Sequence, residues 1–346
     1  MRYNRLGTTG LFVSELCFGT MTFGGQGQFG VIGATQQAEA DQLLARAIEA
    51  GINFVDTADR YSDGESERIT GQALRNLGIA REKVVVATKA FGHMGPGPND
   101  GGSSRGHLMD AAKASLARLG LDHIDLYQLH GFDPATPIEE SLGALSDLVR
   151  QGHVRYIGVS NWAAWQITKA LGLAALHGFM RLASVQAYYS LAGRDLEREL
   201  VPMATSEGIG LLVWSPLAGG ILGGKVRRDA KPGEGTRRAQ VPFPPVDMDR
   251  TYGIIDILDR LAAAKGATVA QLAIAWLLHQ KSVASVLLGA KRLDQLEDNL
   301  GAVDVTFTAA ELAELDAASK PATEYPGWML DMWSAQRAQQ LAASRT

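Results

Sequence analysis

The sequence predicts a closed barrel of eight parallel strands wrapped by helices, a (β/α)8 TIM barrel of the α/β class. Three observations carry this. Short apolar runs rich in β-formers alternate with amphipathic helical stretches along most of the 346 residues, as parallel strands with crossover helices require. Eight such units suit closure better than an open sheet. The apolar runs also end in chemically distinctive polar side chains, and a barrel places its active face at those strand ends.

From the N-terminus, Tyr3 to Ser14 reads as an extra hairpin turning at Gly7-Thr8-Thr9-Gly10. Barrel strands are expected at Glu15–Gly19, Asn53–Ala58, Val84–Lys89, Ile124–His130, Tyr156–Ser160, Ser184–Tyr188, Gly210–Ser215 and Ser285–Gly289. Helical patterns between them include Thr35–Ala50, Arg105–Leu119, Ile138–Arg150, Trp165–Leu176, Thr268–His279 and Asp294–Leu300. Thr35 and the pair Thr136-Pro137 serve as start signals. Gly51, Gly120, Gly152 and Gly208 stand where helices stop, as left-handed caps. Three stretches read as loops, long ones at the C-terminal face: Gly92–Gly106, Lys225–Arg250, and the tail after Lys320 with Tyr325, Trp328 and Trp333. Irregular segments of that length in a barrel are usually functional.

Composition sets the bounds. With 46% hydrophobic residues the chain buries a large core, which excludes disorder and a disulfide-stapled mini-domain. Length alone suggests about two domains, but α/β barrels often run longer as one; a single domain over 1–346, with 320–346 as tail, is expected. Lys and Arg total 33 against 37 Asp and Glu, a net charge of −4, which lacks the basic excess that duplex binding favours. A lone cysteine, Cys17, fits a reducing compartment. Residues 1–20 carry no apolar core of signal-peptide length. The longest uncharged run, Gly208 to Gly224, is broken by Pro216 and glycines, so no membrane span is expected. A cytoplasmic protein acting on a small molecule follows, with its oligomeric state open.

The strand ends are Asp56, Lys89, His130, Ser160-Asn161, Gln186 and Trp214-Ser215. Any one of them can simply mark a strand leaving the core for water. Together they are hard to explain so, because neutral Ser, Asn or Gly would serve equally well. Tyr61 follows Asp56 by five residues in a turn-rich stretch. A phenol ionises near 10, too high for efficient proton transfer at neutral pH. A nearby ammonium favours the phenolate; two unit charges ~4 Å apart at an effective dielectric of ~20 attract by roughly 4 kcal/mol. Asp56 can hold Lys89 charged and aimed, and His130 can orient a carbonyl oxygen. Such a set protonates a carbonyl oxygen while a cofactor delivers hydride, which no side chain can donate.

The segments DTADRYSDGESE (Asp56–Glu67), ATKA (Ala87–Ala90), LYQLHGFDP (Leu126–Pro134) and GVSN (Gly158–Asn161) resemble the aldo-keto reductase family. So do VQAYYSL (Val185–Leu191), WSPLAGGIL (Trp214–Leu222) and GAKRLDQLEDN (Gly289–Asn299). The similarity covers residues 3–318 and is greatest to the branch containing bacterial sugar and aldehyde reductases and potassium-channel β-subunits. It implies a (β/α)8 barrel that binds NADP(H) without a Rossmann domain. By position, Asp56, Tyr61, Lys89 and His130 match the catalytic tetrad, with Tyr61 the proton donor and Asp56 also beside the cofactor. Ser160, Asn161 and Gln186 match the residues holding the nicotinamide carboxamide, and Trp214 the aromatic stacked on its ring. Thr20, Met21 and Gln26 match an early cofactor segment; Ser215, Pro216, Leu217, Gly219 and Lys225 match the pyrophosphate region. Gly289, Lys291, Gln295, Asp298 and Asn299 match the adenosine end. Lys291 and Arg292 suit a 2′-phosphate, favouring NADPH over NADH. Ser62 stands where the family usually has glycine, Leu288 where proline is common and Gly223 where threonine is common. Met21, Phe91, Phe132, Trp162 and the tail aromatics are candidates for an apolar substrate pocket, or for ordinary packing.

Rival readings are weaker. Gly25 to Gly30 satisfies G-x-G-x-x-G, but Val31–Ala34 intervene before the helix, so a Rossmann turn does not fit. No Tyr-x-x-x-Lys pair exists. Gly219 to Lys225 mimics a phosphate loop, yet Val226 stands where Ser or Thr must bind magnesium. Histidine spacing and one cysteine offer no metal site. A Schiff-base lyase using Lys89 and a redox-sensing NADP(H)-binding partner subunit with little turnover remain as alternatives.

Overall fold

In a computed structural model, which describes residues 1–228, 238 and 241–343, eight parallel strands close into a barrel. A hairpin precedes it: β1 (Tyr3–Arg5) pairs antiparallel with β2 (Phe12–Ser14), Tyr3 opposite Ser14. The barrel strands are β3 (Leu16–Gly19), β4 (Phe54–Asp56), β5 (Val85–Ala90), β6 (Ile124–Leu129), β7 (Val154–Ser160), β8 (Leu182–Tyr188), β9 (Gly210–Trp214) and β10 (Val283–Gly289). Each pairs with its successor, and β10 joins β9 to β3 to complete the ring. The fold is the (β/α)8 barrel that the sequence predicts.

Two apolar layers account for it. Inside the ring, Cys17, Phe54, Val85, Ala87, Leu126, Ala183 and Leu212 pack together, with Leu6 and Val13 of the hairpin among them. The hairpin is pinned below by Thr8 N–H to the Gly208 carbonyl at 2.9 Å. Outside it, Phe18, Val55, Val86, Tyr127, Val185 and Val213 meet the apolar stripes of the helices. Because strand side chains alternate, Val85 and Ala87 inside place Lys89 inside as well, and Leu126 does the same for Gln128. In β8 the register shifts between the Ile157 and Gly158 pairings. That shift brings Ala183 and Gln186 to the same interior despite their odd spacing.

The helices are α1 (Gln37–Glu49), α2 (Glu65–Asn76), α3 (Arg105–Leu119), α4 (Ile138–Arg150), α5 (Ala164–His177), α6 (Leu200–Glu207), α7 (Met248–Lys265), α8 (Val269–Leu278), α9 (Leu293–Leu300), α10 (Ala309–Ser319) and α11 (Gly327–Ala343). Gly120 and Gly208 cap α3 and α6 in the left-handed conformation, φ 65° and 66°, where glycine carries no Cβ penalty. Thr35 does not cap α1 as expected. Its N–H is taken by the Thr22 carbonyl, and Gln36 occupies the capping position, its own N–H held by Glu39 at 3.1 Å.

The tail differs from expectation more clearly. Instead of a loop it contains α11, with Trp328, Leu330, Met332, Trp333 and Leu341 exposed. Its Leu, Met, Ala, Gln and Arg favour helix, but its apolar residues form no single stripe and so gave no core-helix signal. Residues 344–346 of that tail, and 229–237 and 239–240 of the expected Lys225–Arg250 loop, lie outside the described residues. Among the described residues no single helix is long and apolar enough to cross a membrane.

Candidate active site

The C-terminal ends of β3 to β10 open into a cleft of about 940 Å³. Asp56, the last residue of β4, is buried there and receives three donors. Lys89 Nζ contacts its Oδ1. Gln128 and Gln186 donate to its Oδ2 at 3.1 and 3.0 Å. The Lys89 ammonium is fully buried, donates to the Thr57 carbonyl at 2.9 Å and lies 3.3 Å from Tyr61 Oη. Burial works against this charge, but Asp56 and Tyr61 outweigh it and push the lysine up to about 12. A paired buried ammonium stays charged where an isolated one would not.

Tyr61 opens a short turn after β4 in which Ser62 and Asp63 both take positive φ, 50° and 53°. The phenol ring is held edge-on by His130 at 5.6 Å and by Phe29 at 5.4 Å. His130 follows β6, and burial with the Lys89 charge behind it drives its imidazole down to about 3. It is therefore neutral at physiological pH, and one ring nitrogen retains a proton to donate.

A second chain of contacts orders the adjoining wall. Asn161, at φ 59° after β7, donates to the His130 carbonyl at 3.1 Å and accepts from Trp214 Nε1 at 3.0 Å. Ser160 Oγ donates to the Gln186 carbonyl at 3.1 Å. The Trp214 indole stacks on Phe243, ring planes 11° apart and centroids at 5.7 Å, and meets Tyr188 at 5.2 Å. After β9, Ser215 Oγ accepts the Gly219 N–H at 3.0 Å and closes a tight turn. Beyond it, Lys225, Arg238, Lys291 and Arg292 bring positive charge to the cleft. Arg292 is paired with Asp294 at 2.8 Å, both well exposed. The Lys291 N–H is held by Gln295 at 3.1 Å beside the N-terminus of α9.

Of the residues singled out from sequence, Thr20, Met21, Asp56, Tyr61, His130, Ser160, Asn161, Gln186, Trp214, Ser215, Pro216, Leu217, Gly219, Lys225, Gly289, Lys291, Arg292, Gln295, Asp298 and Asn299 line the same cleft. Lys89 lies behind Tyr61 rather than on the wall. Leu288 and Gly223 line it too. Gln26 does not; it precedes the short turn Gly27–Phe29 and is exposed. Nor do Phe91, Phe132 and Trp162, or the exposed tail aromatics. Phe132 and Trp162 pack on each other at 5.1 Å, Trp162 buried. Phe29, Ile32, Arg238 and Phe243 line the cleft without having been foreseen. Phe29, Ile32 and Phe243 sit on turns and loops, where no periodicity marks a side chain's direction, and the residues on either side of Arg238 lie outside the described ones. Gln128 was also missed, although an amide inside an otherwise apolar strand is a readable signal.

The residues present suit a dinucleotide. The cleft has the volume for one, Tyr61 and His130 on one wall, an indole beside them, and cations at a helix N-terminus. Comparison with known proteins agrees. The sequence profile described as the Aldo/keto reductase family matches residues 15–320. A "Probable voltage-gated potassium channel subunit beta" of Arabidopsis thaliana is 40% identical over 313 residues, 88% of this chain and 92% of that one. A "Versiconal hemiacetal acetate reductase" of Aspergillus parasiticus is 35% identical over 346 residues, 94% and 99% of the two chains. An "Uncharacterized oxidoreductase YrpG" of Bacillus subtilis is 38% identical over 317 residues, 89% and 92%. The chain belongs to the aldo/keto reductase family, whose members are oxidoreductases that generally use NAD(P)H.

Proposed function

We propose that the protein is an NADP(H)-dependent reductase of aldehydes or ketones, reversible toward alcohol oxidation, with Tyr61 as proton donor. The observation that carries this reading is the Asp56–Lys89–Tyr61 chain, with Lys89 Nζ 3.3 Å from the phenol oxygen. Bound NADPH would supply the hydride, held by Ser160, Asn161, Gln186 and Trp214 at its nicotinamide end and by Lys225, Lys291 and Arg292 at its phosphates. Tyr61 Oη gives its proton to the carbonyl oxygen, and the ammonium beside it stabilises the phenolate left behind. Asp56 keeps that ammonium charged and aimed. Neutral His130 donates a hydrogen bond to the same oxygen and orients the carbonyl. In the reverse direction the phenolate takes the alcohol proton.

A Schiff-base lysine must lose its proton before it attacks a carbonyl. Lys89, held by Asp56 and pushed up to about 12, is suited to the opposite role. The description of the Arabidopsis relative favours a second reading, a cofactor-holding subunit of a larger assembly with slow turnover. One experiment separates the two. NADPH oxidation is followed spectrophotometrically with aldehydes, ketones and sugars, and NADP⁺ reduction with the matching alcohols. Sustained multiple turnover supports the reductase; a single stoichiometric burst without further turnover sinks it in favour of the subunit.

A further inference from the structure

Ser62 occupies a backbone conformation, φ 50°, that glycine adopts freely and an L-residue adopts only at a cost. It is fully buried, and its hydroxyl works in both directions. It donates to the Phe23 carbonyl at 2.7 Å and accepts the Gly25 N–H at 2.9 Å. These two groups form the neck of a glycine-rich segment, residues 24–33, between β3 and α1. Gln36 Nε2 ties the same neck from the other side, donating to the Gly24 and Ala34 carbonyls at 3.0 and 2.8 Å. Gly24, Gly25 and Gly27 all have positive φ; backbone hydrogen bonds from Phe29, Ile32 and Gly33 shape the segment's far turn, while Ser62 and Gln36 fix where its neck sits. At its far end Phe29 meets the ring of Tyr61, the residue directly before Ser62, edge-on at 5.4 Å.

We infer that Phe29 determines substrate specificity and that Ser62 is the positioning residue that holds it beside the Tyr61 hydroxyl. The inference rests on the carbonyl-reductase reading above and names its substrate class: flat, uncharged aromatic carbonyls. The chain from Gly19 to Ile32 contributes only uncharged side chains to the cleft, Met21, Phe29 and Ile32 among them. Phe243 adds aromatic surface to the same cleft. An aryl ring carried on the reacting carbonyl finds edges and faces to pack against, while a short alkyl chain leaves that surface uncovered. Serine tolerates its strained backbone because both hydrogen bonds act on the segment that carries Phe29.

The test measures kcat and KM for benzaldehyde and propanal, with NADPH as reductant, in the wild type, Phe29→Ala, Ser62→Ala and the double variant. Phe29→Ala is expected to lower the benzaldehyde-to-propanal ratio of kcat/KM about tenfold, mainly through KM. Ser62→Ala, which removes both hydrogen bonds of the hydroxyl, should lower it about fivefold. Because Ser62 acts through Phe29, the double variant should fall no further than Phe29→Ala alone. An unchanged ratio in Phe29→Ala, or additive losses in the double variant, overturns the inference while leaving the reductase reading intact. Loss of NADPH binding in Ser62→Ala, read by fluorescence titration, also overturns it and assigns the residue to folding. A wild type that reduces neither aldehyde, nor any other carbonyl, overturns both.

Discussion

The Lys89 ammonium lies 3.3 Å from the Tyr61 hydroxyl and is itself clasped by Asp56. Stability and the proposed proton transfer therefore meet at one buried charge, and two substitutions separate them. Tyr61→Phe leaves the ion pair whole and removes only the proton. Turnover should fall about 10³-fold, with NADPH affinity and melting temperature close to wild type.

Lys89→Met strands the buried Asp56 carboxylate without its cation. The loss of turnover should match that of Tyr61→Phe, but unfolding free energy should also drop by about 3–5 kcal/mol. Denaturant titration alongside steady-state kinetics checks this. A Lys89→Met protein as stable as Tyr61→Phe would show that the pair contributes nothing to folding.

His130 is driven down to about 3 by burial and Lys89, so it does not change charge between pH 5 and 8. Its ring resonances should stay fixed over that range in an NMR titration, while those of a solvent-exposed histidine move near 6.5. His130→Ala should lower kcat/KM about 10²-fold, as loss of one preorganised donor does. A titration midpoint near 6.5 assigned to His130 would contradict the neutral-donor role.

Asp59 is buried, and no side chain among the described residues hydrogen-bonds its carboxylate oxygens. Burial and the Glu67 carboxylate of α2 raise it to about 8, against the lowering influence of Arg118 on α3, the Arg60 N–H and Lys89 on β5. The unfolded carboxyl ionises near 4. Between about 4 and 8 the folded state thus holds more protons than the unfolded one, and stability falls as pH rises. That contribution is complete below the lower value and lost above the upper one. Asp59→Asn keeps the shape and removes the titration. Its stability difference between pH 5 and pH 8, from urea unfolding, should be smaller than that of wild type; an equal difference would assign the pH dependence elsewhere.

On the proposed function, Lys291 and Arg292 would set the choice between NADPH and NADH. Replacing both by Ala should raise the KM for NADPH by roughly tenfold or more, the effect of losing charge-assisted contacts to one phosphate, and leave NADH within about twofold. Equal effects on both cofactors would place these side chains away from a 2′-phosphate.

The alternation of β and α patterns was enough to read the barrel, because a two-residue period and a helical stripe are local properties of the chain. All eight strand segments were legible, as were the helices over Arg105–Leu119 and Ile138–Arg150. So were the strand-end residues, since polar chemistry at the close of an apolar run is visible one residue at a time. What stayed hidden was direction and distance. That Gln186 turns onto Asp56 depends on a register shift in β8, and that Phe29 and Phe243 reach the cleft depends on loops without periodicity. Sequence alone determined that Asp56, Tyr61, Lys89 and His130 belong to one site. Only the closed ring decided that Lys89 is charged and His130 neutral: it pairs the buried ammonium with Asp56 against the cost of burial, and sets the His130 ring in a half-enclosed position against that charge, because the partners and the solvation of a group are properties of its surroundings and not of the residue.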